Sequence, residues 1–361
     1  MIIESIELNN FRNYENLFME FDPKTNILYG DNAQGKTNIL EAIFLSCTAK
    51  SHKSSKDKEM ISFEQEEAHI KAIINKRDIG YRIDIHLKKN KAKGIAINGI
   101  PIKRASELFG IVNVVFFSPE DLNIIKNGPA ERRKFIDLEL CQLDKIYLYN
   151  IVNYNKILNQ RNLLLKSLEF RPEYIDTLDI WDKQLIEFGR KIINRRKIFI
   201  NDLNEIIEDI HLKLSGNKEN LKIFYQPCVN EEDFEVQLLK NRERDKKIKL
   251  TNIGPHRDDI SFYIKDIDIR KYGSQGQQRT SALSLKLAEI EIVKRIINDT
   301  PILLLDDVLS ELDSNRQNYL LSSIDKIQTI ITCTGLDEFI KNRFEINKMY
   351  EIIDGSIGGK T

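Results

Sequence analysis

The run Gly30-Asp31-Asn32-Ala33-Gln34-Gly35-Lys36-Thr37 constrains this chain more than any other stretch. It matches the pattern G-x-x-x-x-G-K-[ST], a match expected by accident in on the order of one percent of chains this long. Its flanks suit it. "TNILY" before the loop reads as a β-strand, and Ile39, Leu40, Ile43 and Phe44 after it recur at helical spacing. Strand, loop and helix in that order aim backbone N–H groups and the positive helix end at phosphate oxygens. Gly30 and Gly35 permit the turn and a close backbone approach, while Asp31, Asn32, Ala33, Gln34 and Asn38 complete the cradle. Lys36 is expected to reach the β and γ phosphates, and Thr37 to offer its hydroxyl to Mg2+.

Such a loop needs an acidic partner at the end of a buried strand. "PILLLDD" at 301–307 supplies one, since Ile302 to Leu305 is an unbroken apolar run that ends in carboxylates. Asp306 is expected to be the metal-side acid, and Asp307 the general base or water-orienting group beside the γ phosphate. Without the loop, the same two carboxylates would read as a solvated strand end.

Composition narrows the partners. Lys plus Arg equals Asp plus Glu at 55 each, so any nucleic-acid surface has to be local. Candidates are "KSHKSSKDK" at 50–58, "KKNKAK" at 88–93, "RRK" at 132–134 and "RKIINRRK" at 190–197. Cys47, Cys141, Cys228 and Cys333 are isolated, which suits reduced structural thiols rather than zinc or disulfides. "MIIESIELNN" is not a secretory leader and no apolar run approaches membrane-spanning length, so a cytoplasmic location without a membrane partner is expected.

Between the two nucleotide motifs lie strand-like and helical segments. "YRIDIHLKKN" and "KGIAINGIPIK" alternate like strands, with Asn98-Gly99 as a tight hairpin turn, and "DISFYIKDIDI" reads as a further strand. From Leu143 to Leu168, Tyr147, Ile151, Tyr154, Leu158, Leu165 and Leu168 form a stripe that Arg161 interrupts. A second stripe runs from Ile175 to Ile210, with Pro172 at the turn. Two antiparallel helices are predicted, either as a projecting arm or as core faces of a bundle. The expected fold is α/β, with an antiparallel β layer beside the nucleotide-binding core and a helical insertion. The boundaries are expected at 1–127 plus 246–361 for the head and 128–245 for the insertion.

Two further elements select among nucleotide enzymes. "SQGQQ" at 274–278 opens a long helix and resembles the S-x-G-Q signature of the ABC ATPases, with Ser274, Gly276 and Gln277 in the matching places. Ser274 with Gln277 also satisfies an ordinary helix capping box. "DDVLSELD" directly follows the acidic strand, and Ser310 to Asp313 resembles the D-loop of the same superfamily. That resemblance implies a site completed in trans, so that ATP joins two copies of the chain and hydrolysis separates them.

"NNFRNY" at 9–14, "GDNAQGKTNILEAI" at 30–43, "SPEDLNIIKNGPAERRKFID" at 118–137, "GPHRDD" at 254–259 and "LLLDDVLSELD" at 303–313 together are similar to the RecF family, the recombination mediators of the SMC-like branch of the ABC ATPases. The resemblance covers nearly the whole chain. It implies an ABC-type ATPase head that uses ATP and Mg2+, binds duplex and gapped DNA as a homodimer, and works with RecR, RecO and RecA. By analogy with related heads it places Arg12 near the nucleotide. Lys50, Lys53 and Lys56, with Arg195, Arg196 and Lys197 on the insertion, are the expected DNA contacts.

The chain departs from the pattern in places. Asn127-Gly128 precedes Pro129, Asp307 stands where transporter motors carry glutamate, and Cys333 and Thr334 stand where they carry a switch histidine. Glu120 is the nearest substitute for a glutamine-loop residue. A shorter carboxylate without a histidine predicts slow, switch-like turnover. The competing readings are a transporter motor, which would need a membrane-coupling surface, a P-loop nucleotide kinase, which would not need "SQGQQ" or "SELD", and a structural tether, which would need longer helices.

Overall fold

The computed structural model describes residues 1–53, 56–335 and 347–358, with Glu311 described by its backbone alone. The basic run at 50–58 thus includes two positions, 54 and 55, outside the described residues. The chain divides into two compact units, Met1–Asp121 with Glu289–Thr361, and Leu122–Ala288.

In the first unit, β1 (Ile2–Phe11), β2 (Tyr14–Glu20), β4 (Glu67–Lys76), β5 (Ile79–Lys88), β6 (Lys91–Ile97) and β7 (Ile100–Pro101) form an antiparallel sheet in the order β2-β1-β4-β5-β6-β7. Asn98 and Gly99 hold φ of 53° and 79° between β6 and β7, the left-handed pair that a two-residue hairpin turn requires. The second sheet carries β3 (Thr25–Tyr29), β8 (Val114–Phe117), β12 (Ile302–Asp306), β13 (Thr329–Cys333), β14 (Lys348–Ile353) and β15 (Ser356–Ile357), in the order β15-β14-β3-β13-β12-β8. From β14 to β8 its strands are parallel. The central strands β12 and β13 are buried without alternation because both faces are covered: Leu303, Leu304, Leu305, Ile330 and Ile331 are all fully buried.

Helix α1 (Lys36–Thr48) accounts for one of those covers. It packs on β4 and β5 of the antiparallel sheet and on β8, β12 and β13 of the parallel one. Lying between two sheets, it has no polar face, and Ile39 through Thr48 are all buried. Glu41 is the charged exception within that run, fully buried on this helix. Helix α10 (Ser314–Ser323) follows the acidic strand. The buried Gln328 side chain accepts from Ile3 N–H at 2.7 Å and donates to Ile3 C=O at 2.8 Å, joining β1 to the entrance of β13.

The second unit contains α2 (Leu122–Lys126), α3 (Pro129–Leu143), α4 (Lys145–Ser167), α5 (Leu178–Leu214), α6 (Phe234–Lys240), α7 (Arg242–Ile248) and α8 (Ile269–Tyr272), and α9 (Gln275–Ile297) begins in it. Its three-stranded sheet runs β11 (Ile267–Asp268), β10 (Asp259–Ile264), β9 (Leu221–Gln226). The antiparallel stripes are α4 and α5, joined through a 3-10 turn at Pro172–Thr177. Helix α5 also packs on β9 and α6, so its stripe is a core face. Arg161, the interruption of the first stripe, is fully buried: it donates to Asp182 at 2.6 Å, Asp245 at 2.8 Å and Thr251 at 2.8 Å.

The insertion is larger than the sequence reading drew it. Residues 246–288 group with it because β10 pairs along its whole length with β9, and because His211 and Ser284 bond in the same core. Gly128 caps α3 in an extended conformation with open space where a Cβ would stand, so the Asn127-Gly128 departure imposes no constraint on the turn.

Candidate nucleotide site

The carboxyl ends of β3, β13 and β12 lie side by side, and the site is built on them. After β3 the chain turns through Gly30 at φ 144° and Ala33 at φ 65° to Gly35 at φ 111°, the N-cap of α1. No side chain caps α1 and no acidic residue occupies its first turn, which leaves its N–H groups and its positive end to an anion. A Cβ on Gly35 would lie 2.5 Å from Asn13 Nδ2 and 2.8 Å from the Tyr14 hydroxyl, so only glycine lets the loop sit this close to β2. Lys36, 4% exposed, donates to the carbonyls of Gly30 at 2.7 Å and Asp31 at 2.8 Å and thereby lies across the loop. Asp31, Asn32 and Ala33 are exposed at the loop's rim.

The acidic strand meets the loop directly. Thr37 Oγ1 donates to Asp306 Oδ1 at 2.8 Å, across 269 residues of sequence. The same carboxylate oxygen accepts from Thr332 Oγ1 at 2.8 Å, and the Thr332 hydroxyl accepts from Asp307 N–H at 3.0 Å. Asp307 is half-buried in the left-handed region at φ 52°. Burial and then the neighbouring Asp306 charge hold its carboxyl above the usual carboxylate range, against the pull of Lys36 and Lys53. Lys53, expected as a DNA contact, is therefore near enough for its charge to act on Asp307. Lys50 and Lys56 are exposed.

Three contributors to the site went unread in the sequence. Thr332 reaches the acids because Asp306 and Thr332 are register partners on β12 and β13. Asn13 donates to Gln34 C=O at 3.0 Å and accepts from Asn38 at 2.8 Å, and a Cβ on Gly355 would strike its carbonyl at 2.4 Å. The turn Asp354-Gly355 closes the brace, with both N–H groups on Gln34, Gly355 to its carbonyl at 3.2 Å and Asp354 to its side chain at 2.5 Å. The Asn-Tyr pair after Arg12 and the Asp-Gly turn were the available signals.

Arg12 forms a bidentate pair with Glu41, 2.8 Å at each end, and donates to Glu59 C=O at 2.6 Å. Burial raises the Glu41 carboxyl, but Arg12 and Ser51 hydrogen bonds outweigh it and hold it below the usual range. Arg12 thus fixes the β1–β2 turn that carries Asn13 to the loop.

Ser274 and Gln277 form the reciprocal capping box at the start of α9, 2.9 and 3.2 Å, and Ser274 and Gly276 are exposed. Gln277 also donates to Glu219 at 2.8 Å. Asp313 caps α10 and pairs with Arg316, and Ser310 donates to Asp307 C=O at 2.8 Å.

The expected DNA cluster at 195–197 is corrected by the structure. Arg196 is 1% exposed and donates to Asp137, Asp258, Pro255 C=O and Tyr147, so its charge is consumed in the core. Arg195 is tied to Asp144 at 2.8 Å, and Lys197 shares an open cleft with Glu205, Glu208, Glu231 and Glu232. A run of three cations in sequence does not become one basic surface because successive residues of a helix point about 100° apart.

A glycine loop leading into a buried helix, a threonine bonded to the last residue of an apolar parallel strand, and a flanking antiparallel sheet define an ABC-type P-loop ATPase head. Among the described residues no helix is long and apolar enough to cross a membrane. The chain belongs to the RecF family: the RecF/RecN/SMC N terminal domain model matches residues 2–354, and curated relatives named DNA replication and repair protein RecF align nearly end to end. The relative from Agathobacter rectalis is 66% identical over 99% of both chains, and one from Clostridium botulinum is 48% identical over 94% of both. A solved structure titled as the recombination mediator protein RecF-ATP in the RecFOR pathway superposes with a TM-score of 0.93 at 36% identity, over 99% of this chain and 97% of that one. An Smc head domain from Pyrococcus furiosus, 18% identical at a TM-score of 0.58 over 98% of this chain and 94% of that one, shares the fold.

Proposed function

We propose that this chain is an ATP-driven DNA clamp of replication and recombinational repair. ATP binds the 30–38 loop of one copy, with Lys36 on the β and γ phosphates. Thr37 and Asp306 hold Mg2+, which when bound offsets phosphate charge. Asp307 orients and deprotonates the attacking water. Ser274, Gly276 and Gln277 of a second copy, with Ser310 and Asp313, complete the site, so that ATP binding joins two copies and slow hydrolysis parts them.

The dimer engages duplex DNA near single-strand gaps through backbone phosphates, with Lys50, Lys53 and Lys56 among its contacts, and acts with RecR and RecO to place RecA. The observation that carries this reading is the Thr37–Asp306 hydrogen bond, which joins the two metal-ligand candidates at one point. The loop also fits a triphosphate: α1 has no capping side chain, Gly35 lets the backbone close up, and Lys36 already crosses it. The capping geometry at Ser274 is compatible with a trans role, since a helix N-terminus that is capped in one copy still presents N–H groups outward.

The test is the mass of the protein in solution with and without ATP and Mg2+, with duplex DNA, beside Lys36→Met. An ATP-dependent doubling that the variant loses and DNA strengthens is expected. A monomer in every condition would refute the trans site.

A further inference from the structure

The run Gly254-Pro255-His256-Arg257-Asp258-Asp259 has no part in the nucleotide site, and all but one of its residues turn inward. Gly254 holds φ 138°, and a Cβ there would meet the Tyr154 hydroxyl at 2.4 Å. Pro255 is buried and its carbonyl accepts from Arg196 at 2.7 Å. His256 is held at both nitrogens, by Tyr154 at 2.7 Å and by Thr251 C=O at 3.0 Å. Because a carbonyl only accepts, Nε2 carries the proton and Nδ1 receives the tyrosine hydroxyl. Asp258 accepts from Cys228 N–H at 2.9 Å, from Arg196 at 2.8 Å and from the Tyr225 hydroxyl. Asp259 takes Arg132 bidentately at 2.6 and 3.0 Å.

Arg257 is the exception. Its backbone N–H donates to Gly254 C=O at 2.9 Å, but its side chain is exposed and, among the described residues, makes no hydrogen bond or ion pair. Arg133 reaches the same turn from α3, its Nη1 donating to Asp258 C=O at 2.7 Å. The surrounding charge does not cancel. Asp137, Asp258, Asp259 and Asp268 face Arg132, Arg133, Arg196, Arg257 and Arg270, the last paired with both Asp259 and Asp268. The excess positive charge is therefore on the outside, at Arg257. Burying ion pairs is costly and is not an efficient way to gain stability. What this network does achieve is a turn backbone held at a set position, from which the unpaired Arg257 side chain extends into solvent.

We propose that Arg257, flanked by Arg133, contacts a backbone phosphate of duplex DNA. The inference rests on the DNA-binding reading above and assigns that reading a site on the insertion. A guanidinium matches phosphate in its planar fork and retains its charge at any working pH. Both guanidiniums lie close enough to His256 for their charge to disfavour its protonation, so they add positive potential at the same turn. Backbone contact of this kind carries no sequence preference.

Binding of a fluorescent duplex to the full-length protein, with ATP and Mg2+ and across a NaCl series, tests this in Arg257→Ala, Arg257→Glu and Arg257→Lys. Each should melt at the temperature of the unsubstituted protein. The alanine variant should weaken binding equally on unrelated sequences and lower the slope of log K against log salt by about 0.9 per copy. The glutamate variant should bind more weakly still, and lysine should restore most of the affinity. Unchanged affinity and slope in both the alanine and glutamate variants would overturn the assignment. Loss of ATP-dependent dimerisation in the absence of DNA would also overturn it, by placing Arg257 between copies. Failure of the unsubstituted protein to bind duplex DNA would instead remove the reading on which it rests.

Discussion

Thr332 Oγ1 stands 2.8 Å from Asp306 Oδ1 and shares its other side with the N–H of Asp307, so one hydroxyl on β13 positions both acids at the end of β12. Thr332→Val is expected to leave a buried N–H without its acceptor and to lower stability by roughly 1–3 kcal/mol. It should also raise the Mg2+ concentration needed for half-maximal ATPase activity, because Asp306 loses one of the two hydroxyl donors that orient it. Thr332→Ser should restore both, and an ATPase assay over a Mg2+ titration reads the difference.

Asp307→Asn keeps the shape of the site and removes its base. Turnover should fall by about 10²- to 10⁴-fold while ATP binding persists. Light scattering should then find a dimer that outlives the one formed by the unsubstituted protein. Hydrolysis at the original rate would take Asp307 out of the mechanism.

The brace on the phosphate loop predicts an effect at a distance in sequence. Gly355 at φ 72° has no room for a side chain against Asn13 C=O, so Gly355→Val should displace the turn that holds Gln34. ATP affinity should drop although residue 355 meets the loop through the backbone carbonyl of Gln34 and lies more than 300 residues beyond it in sequence. Nucleotide titration by fluorescence checks it.

Arg161 supports the insertion through buried charge. Arg161→Met leaves Asp245 buried without its ion-pair partner, and Asp182 with Arg242 alone. A loss of about 3–5 kcal/mol is expected in urea unfolding, the usual consequence of removing one side of a buried pair.

His256 makes the insertion acid-labile. Burial, opposed by its bond to Thr251, lowers its pKa from 6.5 to about 4. The unfolded chain therefore takes up a proton that the folded one refuses, and stability falls as pH drops from about 6.5 towards 4, by about 3 kcal/mol in all. Above pH 6.5 the effect vanishes. His256→Gln should flatten that part of the stability profile, measured by urea melts from pH 7.5 to 4.5.

The parts of this architecture written in short patterns were legible. The loop, the apolar strand ending in Asp306 and the Asn98-Gly99 hairpin each depend on residues adjacent in sequence. Thr332 was not legible because its role comes from strand register, which pairs it with Asp306 without any local signature. Arg196 was misread for the complementary reason. A cation in a basic run looks solvated until the folded chain brings Asp137 and Asp258 to it. The Arg161 interruption was seen in the stripe, but its partners lie on α5, on α7 and in the segment after α7. The second insertion boundary was missed because β9 and β10 pair across 32 intervening residues, from Gln226 to Asp259.

The parallel sheet has a consequence for synthesis. Strand β3, which carries the phosphate loop, has its hydrogen-bonded neighbours in β13 and β14, both more than 300 residues later in the chain. A nascent or truncated polypeptide that stops before Ile302 has every residue of the loop and no strand on either side of it. The loop cannot be held open in such a fragment, and Thr37 has no Asp306 to meet. Competence to take up nucleotide is therefore expected only once β12, β13 and β14 have been made, and a fragment that stops before Ile302 carries the signature of the loop without the strands that position it.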